Sequence, residues 1–196
     1  MRKLVVLLFA IATAGLVLAG VSLARGGDDG GGRVSAGLEG YQEVPSISTA
    51  ARGSFDARIG SSAIEFTLRY QGLEGGNVLF AHIHLGERHT NGGVMVFLCG
   101  GGGKPACPNS PNGTVEGTIT EANIVGPAGQ GIPGGGVAGT FAELVRAIRA
   151  RAAYANVHTA QFPGGEIRGQ VRKGGDGNGG KDKDDDKDEK DDDDDD

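Results

Sequence analysis

The sequence is poor in cysteine, in histidine and, across its middle, in net charge. Only Cys99 and Cys107 are present, and neither lies near the N-terminus, which excludes a lipid-modified N-terminal cysteine. The overall charge of −6 is misleading, because residues 174–196 hold 13 acids and four lysines, and residues 1–24 hold Arg2 and Lys3. Removing both leaves residues 25–173 at +1. A near-neutral domain without a basic stripe argues against nucleic acid as a partner. No serine or cysteine nucleophile stands with a base and an orienting group. Gly134-Gly135-Gly136 lacks the strand-to-helix spacing of a phosphate loop.

The ends carry distinct signals. The basic start MRK leads into LVVLLFAIATAGLVLAGVSLA, with a small-residue exit at Ser22-Leu23-Ala24. These are the parts of a secretory signal, here assigned to residues 1–24. The run is also about long enough to span a bilayer, so an uncleaved anchor is the rival reading, and the only one that involves a membrane. Residues 25–32 form a Gly/Asp linker. Residues 174–196 contain no apolar side chain and read as a disordered acidic tail, solubilising or spacing, with loose Ca²⁺ binding as the alternative. One domain remains, residues 33–173, about 140 residues and enough for a core.

Within it most segments read as strands. Ile64, Phe66, Leu68 and Tyr70 alternate with Glu65, Thr67 and Arg69, and Phe55, Ala57 and Ile59 alternate before them across Gly60-Ser61. Val94–Leu98 is apolar on both faces and predicts a central strand. Residues 114–120, 153–159 and 166–171 follow, the last two flanking the turn Phe162-Pro163-Gly164-Gly165, and a weaker strand lies around 34–44. About eight short strands with glycine turns predict an all-β sandwich or barrel. One helix interrupts them: Phe141, Leu144, Val145 and Ile148 form a stripe, with Thr140 and Glu143 as a capping box and arginines near the end. Cys99 and Cys107, separated by flexible glycines in an exported chain, predict a disulfide; two metal thiolates are the alternative. Asn112-Gly113-Thr114 matches a glycosylation acceptor but reads first as a turn.

Strand geometry also sorts the polar residues. His82 and His84 share a face, as do Tyr154, Asn156 and His158, and as do Glu166, Arg168 and Gln170. If these strands are neighbours, His82, His84, His158, Glu166 and Arg168 converge. Hydrogen bonding alone is one outcome: His84 capping the Gly86–Gly93 loop, His158 paired with Glu166, and Glu166 paired with Arg168.

The pieces 38-LEGYQEVP-45, 81-AHIHLG-86, 91-NGG-93, 154-YANVHT-159 and 162-FPGGEIRGQV-171 resemble the CHRD domain, first noted in chordin and found alone in many exported bacterial proteins. Ser46, His89 and Gly93 depart from the family's usual pattern, which removes His89 from any shared site. The resemblance implies an immunoglobulin-like, superoxide-dismutase-like Greek-key sandwich with one helix before the last hairpin. It also implies an exported, secreted or cell-surface protein. It names no activity: the implied role is a non-enzymatic binding or structural module with an unknown extracellular partner. Within it, Glu43, Asn156, Glu166 and Arg168 form a structural polar network. The distant likeness to copper–zinc superoxide dismutase rests on the H-x-H motif. With four histidines, a two-metal site cannot be built. A reduced site of His82, His84 and His158, taking one copper or zinc ion with redox activity, is the alternative function.

Overall fold

The computed structural model describes residues 32–174. The expected leader at 1–24, nearly all of the linker and nearly all of the acidic segment lie outside the described residues. The described residues form nine strands: β1 (Arg33–Glu39), β2 (Arg52–Ile59), β3 (Ala63–Gln71), β4 (Val78–Leu85), β5 (Val94–Cys99), β6 (Gly113–Thr120), β7 (Ala153–Thr159), β8 (Ile167–Gln170) and the short β9 (Arg172–Lys173). The one α-helix among the described residues, α1 (Thr140–Arg149), precedes β7. All pairings are antiparallel, in the order β5-β4-β7-β8-β1-β2-β3-β6, with β9 on β1. A bridge from Val96 to Ile124 brings the ends of this path together, so the sheet curls into a nearly closed barrel or flattened sandwich. The predicted all-β architecture, with a helix before the last strands, is the one observed.

The alternation read from sequence becomes the core. Phe55 and Ile59 from β2 and Ile64, Phe66 and Leu68 from β3 point inward with Ile83, Met95, Leu98 and Ile119. Leu144, Val145 and Ile148 of α1 join them, with Phe141 at the margin. Cys99 and Cys107 are disulfide-bonded. The ends of the domain lie together: Val34 pairs with Lys173, and Gly174 N–H donates to Arg33 O at 2.8 Å.

Three local expectations are corrected. Val94–Leu98 is not central: β5 ends the hydrogen-bonded path. It is apolar on both faces because Met95, Val96 and Leu98 enter the core while Phe97 lies on a second covered surface, against His82. The capping box of α1 does not form. Thr140 Oγ1 instead donates to Val137 O, and Glu143 pairs with Arg146. Glu121 Oε1, from another segment, accepts the amides of Gly139 and Phe141 at the helix start. This places a carboxylate at the helix's positive end, as the macrodipole favours. Asn112-Gly113 is not a two-residue hairpin turn; it opens β6, and Asn112 Oδ1 accepts Gly72 N–H at 2.9 Å.

Candidate metal centre

Strands β4, β7 and β8 are buried on both faces. One face carries Ala81, Ile83, Ala155, Val157 and Ile167 into the core. The other carries polar side chains, and register brings them together: Phe80 opposes His158, His82 opposes Asn156, His84 opposes Tyr154, and Asn156 opposes Arg168. Directly opposed residues in an antiparallel pair share a face, with Cβ atoms roughly 5 Å apart. This second face is covered by loops and, at one margin, by Phe97 of β5. Glu43, Gly92, Phe97 and Pro163 all reach it.

His82, His84 and His158 are only 5%, 9% and 6% exposed. Each offers a ring nitrogen, and these three atoms lie within 4.8 Å of one another. No carboxylate or thiolate joins that cluster among the described residues. The hydrogen bonds fix the protons. His84 Nδ1 lies 2.8 Å from Gly92 O, a carbonyl that only accepts, so Nδ1 carries the proton and Nε2 presents a lone pair. That Nε2 is 2.9 Å from His82 Nδ1, which therefore donates to it, with Asn156 Oδ1 a second acceptor at 3.2 Å. His158 Nδ1 donates to Pro163 O at 2.9 Å. This leaves His158 Nε2 as a lone pair, buried and without any partner. An orphaned buried acceptor is uncommon in folded proteins and calls for a reason.

Burial is the main cause of the histidines' acidity. It pushes His82 down to about 3, helped by the neighbouring His158 and His84. It pushes His84 down to about 4, although the bond to Gly92 opposes the shift, and it lowers His158 as well. All three rings are neutral at physiological pH, the form that ligates metals. Aromatic rings enclose them: Phe80 stacks on His82, Phe97 meets His82 edge-on, and Tyr154 lies parallel to His84 at 4.7 Å between centroids.

Glu43 sits beside this group, its carboxyl against Gly165, where a Cβ would come within 2.3 Å of Oε1. Burial raises it to about 7, opposed by the Arg168 charge and by Asn156. Its Oε1 is also buried and unpartnered. Arg168, 2% exposed, does not pair with Glu166. Its guanidinium lies 3.4 Å over the Tyr154 ring and donates to Glu87 O, Thr90 O and Asn91 Oδ1. Glu166 instead turns to the neighbouring loops. Its two oxygens accept from Thr49 and Thr159 hydroxyls and from the amides of Glu74 and Gly75. Nor does His158 meet Glu166; its Nδ1–H donates to Pro163 O instead. Glu166 stands just before β8, which begins at Ile167, so the period-two count along that strand does not extend to it.

Sequence reasoning missed Thr49, Glu74 and Gly75, which carry no signal of their own. Asn91 and Tyr154 stood within quoted motifs without an assigned role. His89 is exposed, outside the cluster.

A small antiparallel β domain with one polar, histidine-bearing, loop-covered face is what fold and site define. The CHRD domain profile matches residues 34–171, most of the chain and all of this face, so the chain belongs to the CHRD domain family. Comparison with curated proteins finds no significant match.

Proposed function

We propose that this CHRD domain binds one copper or zinc ion through His82, His84 and His158. The observation that carries the reading is the unpartnered, buried Nε2 of His158, on a ring clustered with two further imidazoles and with its own Nδ1 anchored by Pro163 O. A backbone carbonyl on the far nitrogen is the usual means of orienting a ligating histidine, and His84 has the same arrangement with Gly92 O. Tetrahedral zinc with bonds of about 2.0–2.1 Å holds its nitrogens roughly 3.4 Å apart, so the widest pair must close by about 1.4 Å. His82 needs only a change of tautomer, since the rings are already neutral. Imidazole suits both copper and zinc. Three protein ligands leave a fourth position for an external ligand, the arrangement that permits chemistry.

The domain is further proposed to work outside the cytoplasm, after removal of residues 1–24, with 33–173 as the folded unit. The disulfide supports an oxidising compartment. A second reading, a module that presents a loop to a partner, is favoured by the number of bonds spent on residues 86–93. The test is metal analysis of the purified chain after exposure to zinc or copper(I), beside His82→Ala. One equivalent in the parent and none in the variant is expected. Equal, near-zero metal in both would end the proposal.

A further inference from the structure

The loop at residues 86–93 owes its conformation to the polar face. Gln170 Nε2 donates to Gly86 O, Arg168 holds Glu87 O, Thr90 O and Asn91 Oδ1, and Asn91 Nδ2 reaches on to Val44 O. Gly92 N–H donates to the Tyr154 hydroxyl, and Gly92 O accepts from His84. At the loop's tip Glu87, Arg88, His89 and Thr90 are exposed. His84 thus has two duties: Nδ1 grips the loop and Nε2 meets His82 within the histidine cluster. Tyr154 is sandwiched between them in function and in space. It is parallel to His84 on one side and lies under the Arg168 guanidinium on the other.

We infer that the triad and the 86–93 loop form one coupled unit, in which a bound metal ion tightens the loop and Tyr154 and Arg168 are the positioning residues that transmit the effect. This inference rests on the metal reading above. The physical reason is that a ligand bond to His84 Nε2 fixes the plane and tilt of that ring. The ring in turn fixes the direction of the Nδ1–H bond to Gly92 and the seat of Tyr154. Polarisation by the metal also makes Nδ1–H a stronger donor toward Gly92 O. The exposed tip is then presented in one conformation when the site is loaded and in a looser set when it is not. The domain's presented surface is thereby regulated by metal supply.

Linkage gives the coupling a quantitative form. If zinc stabilises the ordered loop by some factor, ordering of the loop must raise zinc affinity by the same factor. The experiment uses the full chain and zinc alone as the probe. Amide hydrogen exchange at Thr90 and Gly92 is followed with and without saturating zinc, and zinc affinity is titrated for the parent and for Arg168→Met. Exchange is expected to slow by about tenfold on loading, and Arg168→Met is expected to lose about the same factor in affinity. His82→Ala serves as the control that separates the two claims. Should zinc bind the parent but not His82→Ala, while exchange at 86–93 stays unchanged, the coupling is overturned and the metal reading stands. Should zinc bind neither, the metal reading falls and takes the coupling with it. If Arg168→Met does not fold, Tyr154→Phe replaces it, since this change deletes only the hydroxyl that accepts Gly92 N–H. Smaller but matched losses of protection and affinity would support the inference, and mismatched ones would overturn it.

Discussion

The metal-free domain should lose stability as the pH falls from 6.5 to 5, and the histidines and Glu43 set the size of the loss. An unfolded histidine takes up a proton near pH 6.5, whereas folded His82 and His84 resist until about 3 and about 4. Across this window the unfolded chain therefore binds more protons, so acid favours unfolding. Each such histidine costs about 2 kcal/mol over 1.5 pH units, at 1.36 kcal/mol per unit. Glu43 acts in the opposite sense. Its folded value of about 7 exceeds its ordinary 4.5, so the folded state keeps a proton the unfolded state has lost. This contributes roughly 2 kcal/mol of stability at pH 5 that is absent by pH 7. His82 and His84 against Glu43 leave a net loss of about 2 kcal/mol, and His158 adds to it in the same direction. For a domain of this size that is on the order of 5–10 °C in Tm. Calorimetry on chelator-treated protein at the two pH values measures it. Glu43→Gln removes the opposing group and should roughly double the loss. A Tm that is flat or higher at pH 5, or a Glu43→Gln variant with a shallower pH dependence, would refute the reasoning.

Other expectations follow from single contacts. Glu166→Ala strands two loop amides and two threonine hydroxyls around a buried site, and should cost about 3–5 kcal/mol in urea unfolding. A cost under 1 kcal/mol would mean that the loops repack without it. Replacing Cys99 and Cys107 by alanine opens a link between residues eight apart in sequence, and should cost about 2–3 kcal/mol by the same assay. Glu121→Ala removes the acceptor at the start of α1, and a loss of about 1 kcal/mol is expected, with faster amide exchange at Gly139 and Phe141. No change in exchange there would return the capping role to the helix's own residues.

The strands were legible because their inward and outward faces differ. Ile64, Phe66 and Leu68 could face only one way, and the structure has them in the core. The same period-two count brought His82, His84, Asn156, His158 and Arg168 to one face, since the pairing of β4 with β7 is unbroken from Phe80 to Leu85 and that of β7 with β8 from Tyr154 to Val157, although β4 shifts register against β5. It failed at Glu166, which precedes the start of β8 at Ile167 and lies outside the ladder the count assumes. It failed again at Val94–Leu98, because an apolar face does not say whether it meets a core or a patch of imidazole and phenyl rings. Which carbonyl or carboxylate answers which donor was not legible at all. Gly92 O, Pro163 O, Glu87 O and Thr90 O belong to backbone that any residue type supplies, and only the folded loops bring them within reach.

The pairing of Val34 with Lys173 joins the two ends of the described residues on one ladder. Arg168 lies across from Glu39, five residues along β1, roughly 17 Å from that junction. A host protein could therefore carry this domain as a cassette spliced into a surface turn, with both splice points together at that junction and away from Arg168. By the same token, a short linker closing Arg33 to Gly174 would let new termini be opened at Gly60–Ser62, giving a permuted chain whose histidine face is untouched.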